Sequence, residues 1–202
     1  MFSGIVETTA RVTALEREKE NLHITLECSF AKELKIDQSV AHNGVCLTVV
    51  RRDERTYTVT AILETLQKSN LGLLGLGDEV NVERSMKIDS LLDGHLVQGH
   101  VDQTAVCSEA READGSWYFT FAYDVAAGNI TVEKGSVAVN GVSLTVVNSQ
   151  HGSFQVAIIP YTYEHTNFHA IRQGTVVNLE FDVVGKYIAK LAKLYLPSAN
   201  GL

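Results

Sequence analysis

Short runs in which apolar and polar residues alternate recur along this chain. From Leu22 to Cys28 every second residue is apolar, the pattern of a strand with one buried face. Tyr57–Ile62 and Glu79–Val82 follow the same rule, as do Trp117–Phe121, Ser153–Ile159 and Val176–Phe181. Asn43-Gly44 and Asn140-Gly141, each between apolar residues, predict tight turns. About six short strands fall in each half, and closure into a small antiparallel barrel hides their edges. Phe30–Lys35, Thr65–Asn70 and Thr162–Phe168 read as short helices between strands. The tail from Lys186 to Tyr195 has another period. Ile188, Leu191, Ala192 and Tyr195 share one helical face, Lys186, Lys190 and Lys193 decorate the rest, and Pro197 stops the run. Such a helix either packs on its own barrel or joins another subunit.

The chain also repeats itself. SVAHNGVCLTVV at residues 39–50 returns as SVAVNGVSLTVV at 136–147, identical at ten of twelve positions and displaced by 97. Gly4–Ala10 matches Gly99–Ala105, Glu64–Leu71 matches Tyr161–Phe168, and Gly77–Glu83 matches Gly174–Glu180, all in the same order. One fold unit therefore occurs twice. The expected organisation is an N-terminal barrel over 1–93, a C-terminal barrel over 94–185, and an oligomerisation helix with its tail over 186–202. No Pro- or Ser-rich linker separates the halves, so they are expected to pack closely. The best block differs only at His42→Val139 and Cys46→Ser143. The second change exchanges chemistry within one shape; the first has no evident role and reads as surface drift.

Composition narrows the function. The chain has 202 residues, 45% hydrophobic and 20% charged, as an ordinary globular protein has. Its net charge of −7 and the absence of a basic run argue against nucleic acid. Its apolar stretches fall well short of the ~18–20 residues of a membrane span, and residues 1–15 lack the pattern of a signal peptide. Cys28, Cys46 and Cys107 form no CxxC pair and are odd in number, which suits reduced thiols in the cytoplasm.

Candidate chemistry lies in the repeat. Cys46 and Thr48 fall on one face of a strand, as do Ser143 and Thr145. Thiol and hydroxyl groups at a barrel mouth would suit a polar heterocycle, although such residues also simply pack in strands. His95 and His100 lie five apart with no third ligand at zinc spacing, which argues against a metal. His100 replaces Ile5 of the first copy, and a histidine there either moves protons or is structural. Asp182 either serves a site or caps the tail helix.

These motifs resemble the riboflavin synthase family, the trimeric kind built from two lumazine-binding repeats. The resemblance rests on MFSGIVE at the start, VAHNGVCLTV, ETLQKSNLG, VNVER, DGHLVQGHV and VNGVSLTV, and it runs from Met1 to about Tyr195. It implies a dismutation: one 6,7-dimethyl-8-ribityllumazine donates a four-carbon unit to another, giving riboflavin and 5-amino-6-(ribitylamino)uracil without metal or redox cofactor. It implies a homotrimer, with active sites between an N-terminal and a neighbouring C-terminal barrel; association with lumazine synthase is left open. The first pocket would use Gly4, Ile5 and Val6, then Cys46, Leu47 and Thr48, with Thr60, Ala61, Ile62, Leu63, Glu64 and Thr65. The second would use Gly99, His100 and Val101, then Lys134, Ser143, Leu144 and Thr145, with Ala157, Ile158, Ile159, Pro160, Tyr161 and Thr162. The resemblance implies proton handling by His100, Ser143 and Thr145, an acceptor pocket with Cys46 and Ser39, a supporting carboxylate at Asp182, and Phe2 as cover.

The chain departs from the family pattern at Asp93, where glycine is frequent, at Asn140, where aspartate is common, and at Tyr161, where glutamate is. Asn140 can hold a turn but cannot act as a base. The rival reading is a non-catalytic lumazine or flavin binder of the fluorescent-antenna kind, against which stand the retained Cys46, His100, Ser143, Thr145 and Asp182. A structural double-barrel adaptor would explain the repeat but not its matched polar pairs.

Overall fold

The structure, a computed structural model, describes residues 1–195. In the first repeat, β1 (Thr8–Glu18), β2 (Asn21–Glu27), β3 (Ser39–His42), β4 (Val45–Arg52), β5 (Thr56–Ala61) and β6 (Glu79–Arg84) close a barrel in the order β1-β2-β5-β4-β3-β6. In the second, β7 (Gln103–Ala113), β8 (Ser116–Tyr123), β9 (Ser136–Val139), β10 (Val142–Gln150), β11 (Ser153–Ile158) and β12 (Val176–Phe181) follow the same circuit. All pairings are antiparallel, as the alternation predicts. Helices α1 (Leu63–Lys68) and α2 (Pro160–His165) begin slightly earlier than expected, and each leads into a 3-10 turn. Phe30–Lys35 shortens to one 3-10 turn at Ala31–Glu33. Helix α3 (Val183–Tyr195) starts directly after β12; Pro197, its expected stop, lies outside the described residues.

The two barrels fill the same frame differently. Ile24, Leu26 and Leu71 in the first core correspond to Phe119, Phe121 and Phe168 in the second. The His42→Val139 change belongs to this repacking and is not surface drift. His42 is 1% exposed, and its Nε2 lies 2.9 Å from the Tyr57 hydroxyl. At the matching positions the second barrel has Val139 and Phe154, both fully buried. A buried polar pair has thus been exchanged for an apolar pair, both members together. Burial pushes the His42 ring down to about 4, so it is neutral at neutral pH.

Six asparagines join the barrels. The turns Asn43-Gly44 and Asn140-Gly141 have φ of 45° and 80°, and 45° and 79°, the left-handed pair that a tight hairpin needs. They meet back to back: a Cβ on Gly44 would lie 2.9 Å from the Gly141 nitrogen. Around them Asn81 and Asn178 reach across, each donating its amide to the opposite turn, at Asn140 O (2.9 Å) and Asn43 O (2.8 Å). Their Oδ1 atoms accept the backbone N–H of Asn167 (2.7 Å) and Asn70 (2.6 Å). Asn70 and Asn167 then donate to Asn140 Oδ1 (3.1 Å) and Asn43 Oδ1 (2.9 Å). All six are buried. In such a place each amide needs both its donor and acceptor partners, and the pseudo-twofold arrangement supplies them.

His42→Val alone strands the Tyr57 hydroxyl and is expected to cost about 1–3 kcal/mol. His42→Val with Tyr57→Phe, the pair already present in the second barrel, should recover most of that loss in a denaturant-unfolding cycle. The pH dependence follows from the lowered value: the unfolded histidine takes its proton near 6.5 and the folded one only near 4. Stability carried by neutral His42 is therefore complete above pH 6.5 and lost as pH falls toward 4. The double variant should lack this part of the acid sensitivity.

Candidate active site

Strand β4 alternates: Leu47 and Val49 enter the first core, so Cys46 and Thr48 point away from it. On β10, Leu144 and Val146 pack inward while Ser143 and Thr145 point out. The reactive groups therefore sit on the outer wall of each barrel, not at its mouth. The period of two leaves no other choice once the leucines face the core.

Two extended segments lie across these walls, residues 2–7 ahead of β1 and residues 97–102 ahead of β7. They pair with each other first: Phe2 N–H donates to Val97 O (2.8 Å) and Val97 N–H to Phe2 O (3.1 Å). Each then runs along the opposite barrel. Ser143 N–H donates to Gly4 O, and Cys46 N–H to Gly99 O, both at 2.8 Å. Val6 packs against the second core and Val101 against the first. The sequence reading grouped Gly4–Val6 with Cys46–Thr48 and Gly99–Val101 with Ser143–Thr145; the structure exchanges the partners. The cause is the contact of the two Asn-Gly turns, which brings the start of each following strand beside the other repeat's entry segment. The fit is close: a Cβ on Gly4 would lie 2.6 Å from Ser143 Cβ, and one on Gly99 2.5 Å from Cys46 Cβ.

Two glutamates hold the segments. Glu83 accepts the Ser3 N–H (2.7 Å), the Ser3 hydroxyl (2.8 Å) and the Gly4 N–H (3.1 Å). Glu180 accepts the N–H groups of Gln98 (2.6 Å), Gly99 (2.9 Å) and His100 (2.8 Å). Burial pushes both carboxyls above their usual range, against the downward pull of these donors. Neither glutamate was singled out from sequence, although they are a matched pair in the repeat.

Around Cys46 lie Phe2, Ala41, Val97 and Ala138, a small apolar core between the barrels. Phe2 is fully buried there, so it is a packed wedge under the site and not an outer cover. Ser39 stands opposite Thr48 in the β3–β4 register. Thr60 and Ala61 end neighbouring β5, Ile62 is the extended residue before α1, and Leu63, Glu64 and Thr65 open that helix. The Thr60 hydroxyl is taken by His23, at 2.8 Å.

Around Ser143 the groups are polar. His95 Nδ1 lies 2.6 Å from Ser143 Oγ. Burial lowers the affinity of His95 for a proton, and the charge of Asp182 opposes this. Asp182 Oδ1 also accepts the Val184 N–H (2.9 Å), so it caps α3 as well. His100 contributes its backbone N–H to Glu180 while its side chain is exposed. Lys134 occupies a left-handed turn (φ 63°), its N–H on Val146 O at 3.0 Å and its side chain exposed. Ala157 and Ile158 end β11, Ile159 is the extended residue before α2, and Pro160, Tyr161 and Thr162 open that helix. Tyr161 is exposed and stacks on His165 with ring centroids 4.0 Å apart. Asn140 belongs to the inter-barrel network, which explains an amide there in structural terms. From sequence His95 reads only as a metal-ligand candidate; its contact with Ser143 spans 48 residues and has no local signature.

Residues 3–85 and 98–182 each match the lumazine binding domain family. The chain is 38% identical to riboflavin synthase of Mycobacterium tuberculosis over 198 residues, covering 96% of this chain and 98% of that protein. It is 34% identical to riboflavin synthase of Bacillus subtilis over 201 residues, covering 99% and 92%. Among solved structures, LumP complexed with 6,7-dimethyl-8-(1'-D-ribityl) lumazine superposes with a TM-score of 0.82 at 18% identity, over 90% of this chain and 99% of that one. At that identity the likeness is one of fold.

Removing the Glu180 carboxylate leaves three N–H groups without their acceptor. Glu180→Ala is expected to destabilise the protein by about 2–3 kcal/mol. Glu180→Gln should lose nearly as much, because one face of the amide turns a donor toward a donor. Denaturant unfolding of the two variants measures this, and a Gln variant as stable as the parent would contradict the described role.

Proposed function

This chain belongs to the riboflavin synthase family, whose lumazine-binding domain it carries twice, and we propose that it is a transferase catalysing the last step of riboflavin biosynthesis. Two molecules of 6,7-dimethyl-8-ribityllumazine react; one gives four carbons to the other, and riboflavin and 5-amino-6-(D-ribitylamino)uracil are released. One observation carries this reading beyond family membership. Two seats of the same backbone geometry carry unlike groups, Cys46 in one and Ser143 in the other, each beside an extended entry segment. A reaction between two identical molecules in different roles needs two such seats. Holding both rings removes much of the entropic cost of bringing them together.

The donor lumazine must lose a proton from its 7-methyl group, and the ring takes up the electron pair. The Ser143 seat suits this step, with Thr145 and Asp182; His100 belongs to the segment that runs beside the Cys46 seat. The Cys46 seat, with Ser39 and Thr48, suits the acceptor. The pteridine edges would be read largely by main-chain groups of residues 4–6 and 99–101, with the ends of β5 and β11 and Lys134 completing the walls.

A homotrimer completes the proposal, bringing an N-terminal barrel of one subunit against a C-terminal barrel of the next. Its support is α3, where Val184, Tyr187, Ile188, Leu191 and Leu194 are exposed; Ile188 is 62% exposed on a helix anchored by Lys186 to Asp102 at 2.7 Å. Three free cysteines support a cytoplasmic location. No described helix is long and apolar enough to cross a membrane.

Incubation with 6,7-dimethyl-8-ribityllumazine should produce flavin absorbance at longer wavelength. Tight binding with an unchanged spectrum would replace the enzyme with a lumazine-binding antenna protein. Ile188→Asp with Leu191→Asp should shift the protein from trimer to monomer in sedimentation, with folding retained and turnover reduced at least about tenfold, as lost alignment of two reactants implies. A monomeric parent would overturn the trimer.

A further inference from the structure

The wall of the Cys46 seat continues past Thr48. The β4–β5 ladder runs from Arg52–Tyr57 to Val49–Val59; nearer the seat, Cys46 on β4 has Gly99 as its partner. Thr60 lies just past Val59, on the strand that borders this opening. The period of two turns its side chain outward, as it does Thr48, while Val59 and Ala61 fill the core. In the β2–β5 ladder Thr60 stands opposite His23, whose Nδ1 lies 2.8 Å from the Thr60 hydroxyl oxygen. Nε2 of the same ring lies 3.2 Å from Glu18 Oε2. A carboxylate only accepts, so the proton of the neutral ring sits on Nε2 and Nδ1 is left to accept. The Thr60 hydroxyl hydrogen then points at His23, and the oxygen's lone pairs remain for another donor. Beyond His23 the surface opens into a cavity of about 530 Å3, lined by Glu16, Arg17, Glu18, His23, Val50 and Arg51. The second barrel is built otherwise. Ala157 stands there in place of Thr60 and pairs with Tyr118, whose ring has the Arg111 guanidinium 4.5 Å above its centre.

We propose that His23 is a positioning residue of the Cys46 seat: held by Glu18, it turns the Thr60 hydroxyl so that its oxygen accepts a hydroxyl of the substrate's ribityl chain. The lumazine ring presents amide and ring-nitrogen edges that suit main-chain partners. The chain on N8 is a flexible polyol, and its hydroxyls call for polar side chains. Thr60 and His23 supply these on the outer wall beyond Thr48, and the cavity past His23 leaves room for the end of the chain. At the matching point the Ser143 seat presents only the methyl group of Ala157, beside a tyrosine covered by arginine. The seats therefore differ in how they hold the tail as well as in Cys46 and Ser143, and reading of the tail by an oriented hydroxyl belongs to the Cys46 seat. The inference takes its substrate from the proposed dismutation.

The test uses the full-length protein with His23→Leu, His23→Asn, Thr60→Val and the His23→Leu/Thr60→Val pair. Turnover of 6,7-dimethyl-8-ribityllumazine is measured together with the binding of that lumazine and of 6,7,8-trimethyllumazine, which has a methyl group in place of the ribityl chain. His23→Leu and Thr60→Val should each raise KM for the ribityl compound about 3–10-fold, the worth of one hydrogen bond, with kcat nearly unchanged and trimethyllumazine bound as by the parent. The pair should be no worse than Thr60→Val alone, because the two residues act as one unit. His23→Asn places an amide oxygen near the position of Nδ1 and should restore most of the loss. Thr60→Val changes little in shape and reads the wall even where His23→Leu does not fold. Parental KM in Thr60→Val or in a folded His23→Leu protein, equal weakening of both lumazines, a fall in kcat alone, losses that multiply in the pair, or His23→Asn as impaired as His23→Leu would each overturn the inference. A parent that binds the ribityl lumazine without converting it overturns the dismutation instead, and the ratio of ribityl to methyl affinities in the same variants still decides the role of His23. A parent that binds neither lumazine overturns both.

Discussion

Everything in the site depends on how the two Asn-Gly turns meet. Each turn places main-chain groups at a buried interface, where an unpaired N–H or carbonyl costs several times what a typical hydrogen bond returns. Asparagine can repair both kinds of deficit from one side chain. Asn81 and Asn178 do this across the axis, donating to the opposite turn while accepting from the opposite helix–strand connection. Because Gly44 and Gly141 approach too closely for a Cβ, the barrels have little freedom to slide.

Fixing the turns fixes the strands that leave them. β4 and β10 then present Cys46 and Ser143 outward beside the opposite repeat's entry segment, and Glu83 and Glu180 hold the segments there. Neither repeat alone contains a complete seat: each wall comes from one copy and its covering segment from the other. The duplication supplies symmetry of position, while chemistry is varied inside it. A thiol with apolar neighbours stands on one side, and a hydroxyl bonded to an imidazole on the other. The cores vary as freely, with His42 and Tyr57 replaced by Val139 and Phe154, because a core needs filled volume and paired polar groups more than particular residues.

The fold was largely legible. Alternation marked the strands, the Asn-Gly pairs marked the hairpins, and the internal repeat required two copies of one barrel. The helices were less so, since Phe30–Lys35 has helical composition but room for only one 3-10 turn. The inter-barrel lock left a trace in the repeat: Asn43, Asn70 and Asn81 each recur as asparagine 97 residues later, and Glu83 recurs as Glu180. Retention of polar residues in both copies, while the core drifted from aliphatic to aromatic, is what a shared buried interface produces. The exchange of entry segments and the delivery of His95 to Ser143 had no such trace. Both follow from the docking of distant parts of the chain, which strand periodicity does not encode. Nothing in the local sequence marks His42 as buried; its contact with the Tyr57 hydroxyl comes from the packing of β3 and β5 in one core.

The claim that most needs a direct answer is that each seat is built from both repeats. A crystal structure with bound riboflavin would supply it. The ring system should lie between Ser143–Thr145 and residues 4–6, or between Cys46–Thr48 and residues 99–101. A ring held by residues 4–6 together with Cys46–Thr48 would contradict it.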